Sequence, residues 1–117
     1  MGALTTHILD TAHGHPAAAV RIDLYAEQGA GWMLLRSVQT NSDGRCELPL
    51  LQGADLQPGR YRLVFHMGAY FKGLGLTLPQ TPFLDQIPLE FGVADARQHY
   101  HVPLLVSPWS YSTYRGS

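Results

Sequence analysis

What most limits how this chain can fold is its rhythm: short runs of alternating apolar and polar residues, each cut off by a turn. Val20, Ile22, Leu24 and Ala26 alternate with Arg21, Asp23 and Tyr25. Tyr61, Leu63 and Phe65 alternate with Arg62, Val64 and His66, and Ile87, Leu89, Phe91 and Val93 with Pro88, Glu90, Gly92 and Ala94. A two-residue period belongs to a strand, whose successive side chains leave opposite faces of a sheet, and no helical bundle satisfies it. The breaks are turn-forming residues: Asp10 to Pro16, Gln28 to Gly31, Asn41 to Gly44 ending in Asp-Gly, and Pro58-Gly59. Seven or eight short strands at roughly ten-residue spacing predict an all-β fold, a two-sheet antiparallel β-sandwich.

Further strands are expected at Leu4 to Asp10, with Thr5, His7 and Leu9 on one face and Leu4, Thr6 and Ile8 on the other, at Trp32 to Thr40 and, more briefly, at Glu47 to Leu51. Only Gly68 to Gly75 has room for a helix, one short element of at most two turns. Pro79, Pro82 and Pro88 forbid regular structure from there until Ile87. The 117 residues make one domain, 1–117, with no repeat and no linker. A chain of that size can bury roughly two-thirds of its unfolded surface.

The charge is nearly balanced, 8 Lys and Arg against 9 Asp and Glu, and the basic residues are scattered singly, which excludes nucleic acid and anionic membranes as expected partners. The single cysteine, Cys46, cannot form an intrachain disulfide. The first residues lack a charged stretch followed by an apolar one, and no apolar run approaches the ~20 residues of a membrane span. The expectation is a soluble, cytoplasmic protein. Its final Arg-Gly-Ser is not a peroxisomal address of the Ser-Lys-Leu type.

Chemistry concentrates in the last stretch, His99 to Ser117, where most chains fray. Tyr100, Val102, Leu104 and Val106 point one way, and His99, His101, Pro103 and Leu105 the other. One face is core and the other carries imidazoles. Pro103 removes a ladder donor, which predicts a strand at an edge or a bulge. Ser107 to Ser110 reads as a turn and Tyr111 to Arg115 as an antiparallel return strand. Two histidines, Tyr114, Arg115, Ser117 and the terminal carboxylate therefore fall within one hairpin's reach. Six histidines raise the question of zinc, but His99-X-His101 supplies two ligands and the others are distant in sequence, so no metal site is expected. Cys46, next to Arg45 on an extended stretch, would face away from it as a small buried hydrophobe. His13, His15 and His66 have no catalytic support, and Gly14-His15-Pro16 is turn chemistry.

The segments Leu4-Thr-Thr-His-Ile-Leu-Asp10, Gly14-His-Pro-Ala17, Asn41-Ser-Asp-Gly-Arg45 and Tyr111-Ser-Thr-Tyr-Arg-Gly-Ser117 together resemble the transthyretin-like 5-hydroxyisourate hydrolase family. The resemblance covers essentially the whole chain. Its most specific part is Tyr114-Arg115-Gly116-Ser117, which the hormone-carrying transthyretins do not keep. The resemblance implies a homotetramer, a dimer of dimers, with cofactor-free active sites in a channel between dimers. There 5-hydroxyisourate, the unstable product of urate oxidation, would be hydrolysed to 2-oxo-4-hydroxy-4-carboxy-5-ureidoimidazoline. It also implies His7, Arg45, His101 and Ser117 as catalytic residues, with Tyr114, Arg115 and Gly116 joining His7, Arg45 and Ser117 in substrate binding. His99 is the less favoured imidazole of His-Tyr-His. Two imidazoles, a guanidinium and a hydroxyl are what a water-mediated ring opening needs. The competing expectation is a non-enzymatic sandwich, a carrier or a surface module sharing the start Asp10 to Val20. The terminal tetrapeptide argues against it.

Overall fold

The computed structural model describes all residues 1–117 and arranges them in two sheets. The strands are β1 (Ala3–Asp10), β2 (His15–Pro16), β3 (Arg21–Gln28), β4 (Gly31–Gln39), β5 (Leu51–Gln52), β6 (Gly59–His66), β7 (Gln86–Val93), β8 (Tyr100–Val106) and β9 (Tyr111–Thr113), with one helix, α1 (Met67–Gly73). One sheet runs β2-β1-β8-β9, with β5 also pairing β1, and the other runs β4-β3-β6-β7. Alternation decides which residues go between them: Leu4 and Ile8 of β1, Ile22 and Leu24 of β3, Leu63 and Phe65 of β6 and Leu104 of β8 are all fully buried. Each such side chain contributes about 1.5–3 kcal/mol by leaving water, and together they fix the inward face of each strand.

Four local outcomes differ from the sequence reading. The ladders are antiparallel except at the centre of the first sheet, where β1 and β8 run parallel, with Thr5 beside His101 and His7 beside Pro103. Asp23 is buried although alternation assigns it to the outer face. Its carboxylate accepts hydrogen bonds from Ser37 Oγ (2.6 Å) and Arg21 Nε (3.1 Å) and lies 2.8 Å from Nε2 of His66, and these neighbours close over it. The stretch Glu47 to Leu50 is irregular, and only Leu51 and Gln52 pair, with Ala3 and Leu4.

Pro103 is the fourth. β8 is an inner strand with partners on both sides. The backbone of His101 faces the terminal segment, donating to the Gly116 carbonyl, so the alternating ladder turns Pro103 the same way. Its missing N–H falls where the ladder between β9 and Gly116 is interrupted, and its carbonyl is met instead by the Thr113 hydroxyl at 2.7 Å. The proline is accommodated by a gap in the pairing rather than by a free edge.

Candidate active site

Four separate stretches of chain meet on the outward face of the β1–β8 pair. β1 turns Thr5 and His7, two residues apart, to that face, while Thr6 between them faces inward and donates to the Val102 carbonyl at 2.7 Å. The turn Asn41 to Gly44 brings Arg45. Oδ1 of Asn41 accepts the backbone N–H groups of Asp43 (2.9 Å) and Arg45 (3.2 Å), and Gly44 takes a positive φ of 72°. Its carbonyl then accepts the N–H of Ile8 at 2.9 Å, and Arg45 forms an antiparallel bridge with His7. Any Cβ at Gly44 would run into the Ile8 carbonyl, so glycine is required both by the turn and by the close approach to β1.

From the other side come His101 of β8 and His99, which immediately precedes that strand. The chain's last residues fold back so that His101 and Gly116 exchange both backbone hydrogen bonds, at 2.7 and 3.2 Å. That pairing sets Ser117 at the edge of a cavity of about 460 Å³ that Thr5, Arg45, Cys46, Pro49, His99 and His101 also line. Cys46 is half-buried, and burial raises its thiol pKa, so the protonated form is favoured. It packs partly against the core, as expected, yet it also forms part of the cavity wall.

The electrostatics favour neutral imidazoles. Burial lowers the pKa of His7, and the Arg45 guanidinium lowers it further, with the Asp43 backbone and carboxylate acting the other way. His101 is lowered by burial, then by Arg45, His7 and His99. Both rings are therefore uncharged at neutral pH, able to take a proton or, from the other nitrogen, to give one. Arg45 acts on both rings, which puts a fixed positive charge near the two imidazoles.

Within one protomer Tyr114 and Arg115 lie elsewhere. They line a separate depression of about 260 Å³ with Leu89, Phe91, Tyr100 and Val102. Arg115 stacks on the Tyr100 ring at 4.3 Å and donates to Oε1 of Gln98 (3.0 Å) and the His99 carbonyl (3.2 Å). Its position is that of an anchor for the terminal segment. Thr5, absent from the expected set, is placed 2.9 Å from Nδ1 of His101 and 3.2 Å from Nε2 of His99. Its only signal in sequence is the two-residue offset from His7.

The residue set most able to hold a metal lies away from this cavity: ligand atoms of Asp10, His13 and His15 fall within 4.8 Å of one another. The Asp10 oxygens are already engaged, Oδ1 by the N–H groups of Ala12 (3.0 Å) and His13 (3.1 Å). Oδ2 accepts the Tyr70 hydroxyl (2.8 Å) and lies 2.6 Å from Nδ1 of His13. A metal would have to break that network.

Residues 4–116 match the HIUase/Transthyretin family. Among curated proteins, a 5-hydroxyisourate hydrolase of Rhizobium meliloti is 58% identical over 116 residues, spanning 99% of this chain and 97% of its own. Among solved structures, the 5-hydroxyisourate hydrolase of Klebsiella pneumoniae is 34% identical with a TM-score of 0.81, covering the whole of both chains. A sea bream transthyretin in complex with thyroxine is 28% identical with a TM-score of 0.87, over 97% of this chain and 94% of its own. The backbone is thus shared by hydrolases and by a hormone-bound protein, and the sequence lies nearer the former: this chain belongs to the HIUase/transthyretin family.

Proposed function

We propose that this protein hydrolyses 5-hydroxyisourate to 2-oxo-4-hydroxy-4-carboxy-5-ureidoimidazoline, in the cytoplasm, without metal or cofactor, as a homotetramer of single-domain chains. The observation that carries the reading is the meeting of Arg45, His101 and Ser117, from three stretches of sequence, around one cavity, with His7 bridged to Arg45 beside it. A carrier has no use for two neutral imidazoles flanking a guanidinium.

The chemistry follows from those groups. One imidazole removes a proton from water as its oxygen bonds to a ring carbonyl carbon. Negative charge then develops on the carbonyl oxygen, and the Arg45 guanidinium stabilises it through a planar fork of donors. The intermediate collapses by breaking the carbon–nitrogen bond, and the other imidazole gives the leaving nitrogen its proton. The net change is addition of one water. Ser117 orients the water or His101 from the rim. Tyr114, Arg115 and Gly116 take part in substrate binding by holding that rim in place and, in a tetramer, through the surface that a second copy meets.

The test is the ultraviolet decay of freshly generated 5-hydroxyisourate. The protein should accelerate it, before and after exhaustive dialysis against a chelator. His7→Asn, Arg45→Ala and His101→Asn should each slow it by on the order of 10²-fold with the fold intact. Decay at the buffer rate with the wild-type protein would refute the assignment.

A further inference from the structure

We infer that Thr5 is a positioning residue whose hydroxyl joins the imidazoles of His99 and His101 into a relay, coupling their tautomers and returning a proton from solvent to the His101 ring at Nδ1 when Nε2 gives one up. The inference rests on the proposed hydrolysis for its catalytic consequence, while the hydrogen-bonded link itself does not.

The geometry is that of a bridge. Thr5 and His101 are directly opposed across the parallel β1–β8 pair, and Oγ1 of Thr5 is within hydrogen-bond distance of one nitrogen on each of two rings, 2.9 Å from Nδ1 of His101 and 3.2 Å from Nε2 of His99. Packing alone does not ask for this arrangement. Strand propensity is served equally by valine, and the adjacent Thr6 spends its hydroxyl on a backbone carbonyl. The ring of His101 has little freedom to turn away, because Gly116 lies against its other side, where a Cβ would stand 3.1 Å from Cδ2.

A hydroxyl carries one proton, so it can donate to one imidazole while accepting from the other, and the two tautomers are linked. If Thr5 donates to Nδ1 of His101, that ring holds its proton on Nε2, for which the structure gives no protein partner, while Nε2–H of His99 donates to Thr5. If Thr5 instead donates to His99, the proton of His101 is on Nδ1 and its Nε2 has a lone pair. Delivering a proton from Nε2 of His101 converts the first arrangement into the second: the Thr5 proton moves to Nδ1 of His101 and the Nε2 proton of His99 moves to Thr5. A solvent proton then enters at Nδ1 of His99. One proton enters and one leaves. His99 is exposed and His101 half-buried, so the relay runs from water to the cavity. The charged and titratable groups bearing on His101 are Arg45, His7 and His99, and with burial they keep it neutral, so its proton must be on the correct nitrogen to be given.

The experiment compares wild type with Thr5→Val, Thr5→Ser and His99→Ala, reading kcat and KM against pH in the decay assay and the His101 tautomer by long-range proton–nitrogen correlation. Thr5→Val should lower kcat by about tenfold with KM little changed, and should shift the nitrogen signals of His101 toward a mixture of tautomers. Thr5→Ser should restore both. His99→Ala should lower kcat in the same direction and recover in imidazole buffer, which supplies the proton from solution. Wild-type kcat and an unmoved His101 tautomer in Thr5→Val would overturn the relay while leaving the hydrolase reading intact. An inactive wild type whose His101 tautomer still shifts in Thr5→Val would refute the hydrolase reading and keep the link.

Discussion

Gly116 lies against the imidazole of His101: a Cβ added to the glycine would stand 3.0 Å from the Cβ of His101 and 3.1 Å from Cδ2, while the two backbones exchange both hydrogen bonds. The ring is thereby held from one side by the terminal segment and from the other by Thr5. The backbone of Gly116 is not in the left-handed region. What the position lacks is space.

Gly116→Ala should therefore displace His101 without unfolding the sandwich. Those contacts are tighter than ordinary van der Waals distance, and the neighbour that must yield is the proposed proton carrier. We expect kcat to fall by about tenfold or more, since small misplacement of a catalytic group costs that much, with a melting temperature close to wild type. Full activity in the variant would show that the ring is free to move.

The pH dependence has a definite sign. Because the folded-state pKa values of His7 and His101 are both lowered, the neutral rings are favoured by folding and the unfolded chain binds more protons as the pH falls. Activity and this part of the stability should be fully present above the ordinary histidine value of about 6.5 and be lost only as pH falls through the lowered values. Arg45 contributes to both shifts, second to burial. Replacing Arg45 by a neutral residue should move the acid limb of the residual kcat/KM toward higher pH, and a limb that stays in place would contradict the electrostatic coupling.

The cluster around Asp10 should behave as structure rather than catalysis. Burial pushes the Asp10 carboxyl up, but hydrogen bonds from the His13 ring, Tyr70 and the His13 backbone outweigh it, and the net pKa lies below the ordinary carboxylate value. The stability it supplies is present above that ordinary value and is lost as pH falls through the lowered one. Tyr70→Phe leaves a buried carboxylate with one acceptor unfilled and should cost about 1–3 kcal/mol, measured by denaturant unfolding. His13→Asn should leave the decay rate nearly unchanged.

How much of this was legible in sequence depended on whether the interaction is local. Alternation reads off strands such as Tyr61 to Phe65 and Ile87 to Val93, because the two-residue period is a property of neighbouring residues. It misassigns Asp23, whose burial is created by Ser37 and His66 from two other strands. The parallel pairing of β1 with β8 joins residues 96 positions apart, so nothing near Thr5 announces its bond to His101. The tetrapeptide was visible as a unit, but apart from the isolated bridge at Gly116 it is not a strand, so alternation does not say where its side chains go. Ser117 borders the cavity while Arg115 packs on Tyr100. Cys46 reaches both core and cavity because the stretch that follows it is irregular rather than a strand.

Assembly gives the last prediction. The cavity is open to solvent on one protomer, and its rim includes Leu48, 71% exposed, together with exposed His99 and Ser117. Sandwich interiors are filled by side chains, so a chain of this kind encloses a substrate only by meeting another copy. Light scattering coupled to size exclusion should accordingly report a tetramer, and a fully active monomer would refute it. Deleting Tyr114 to Ser117 removes the bridge to His101, the Ser117 rim and the Arg115 stack on Tyr100, but leaves β9, whose three residues pair with Leu104 to Val106. The truncated protein should keep the β-rich circular dichroism of the wild type and decay 5-hydroxyisourate no faster than buffer. Retained activity would mean that His101 is held in place without the terminal segment, and loss of the β signal would mean that the segment is needed by the sandwich itself.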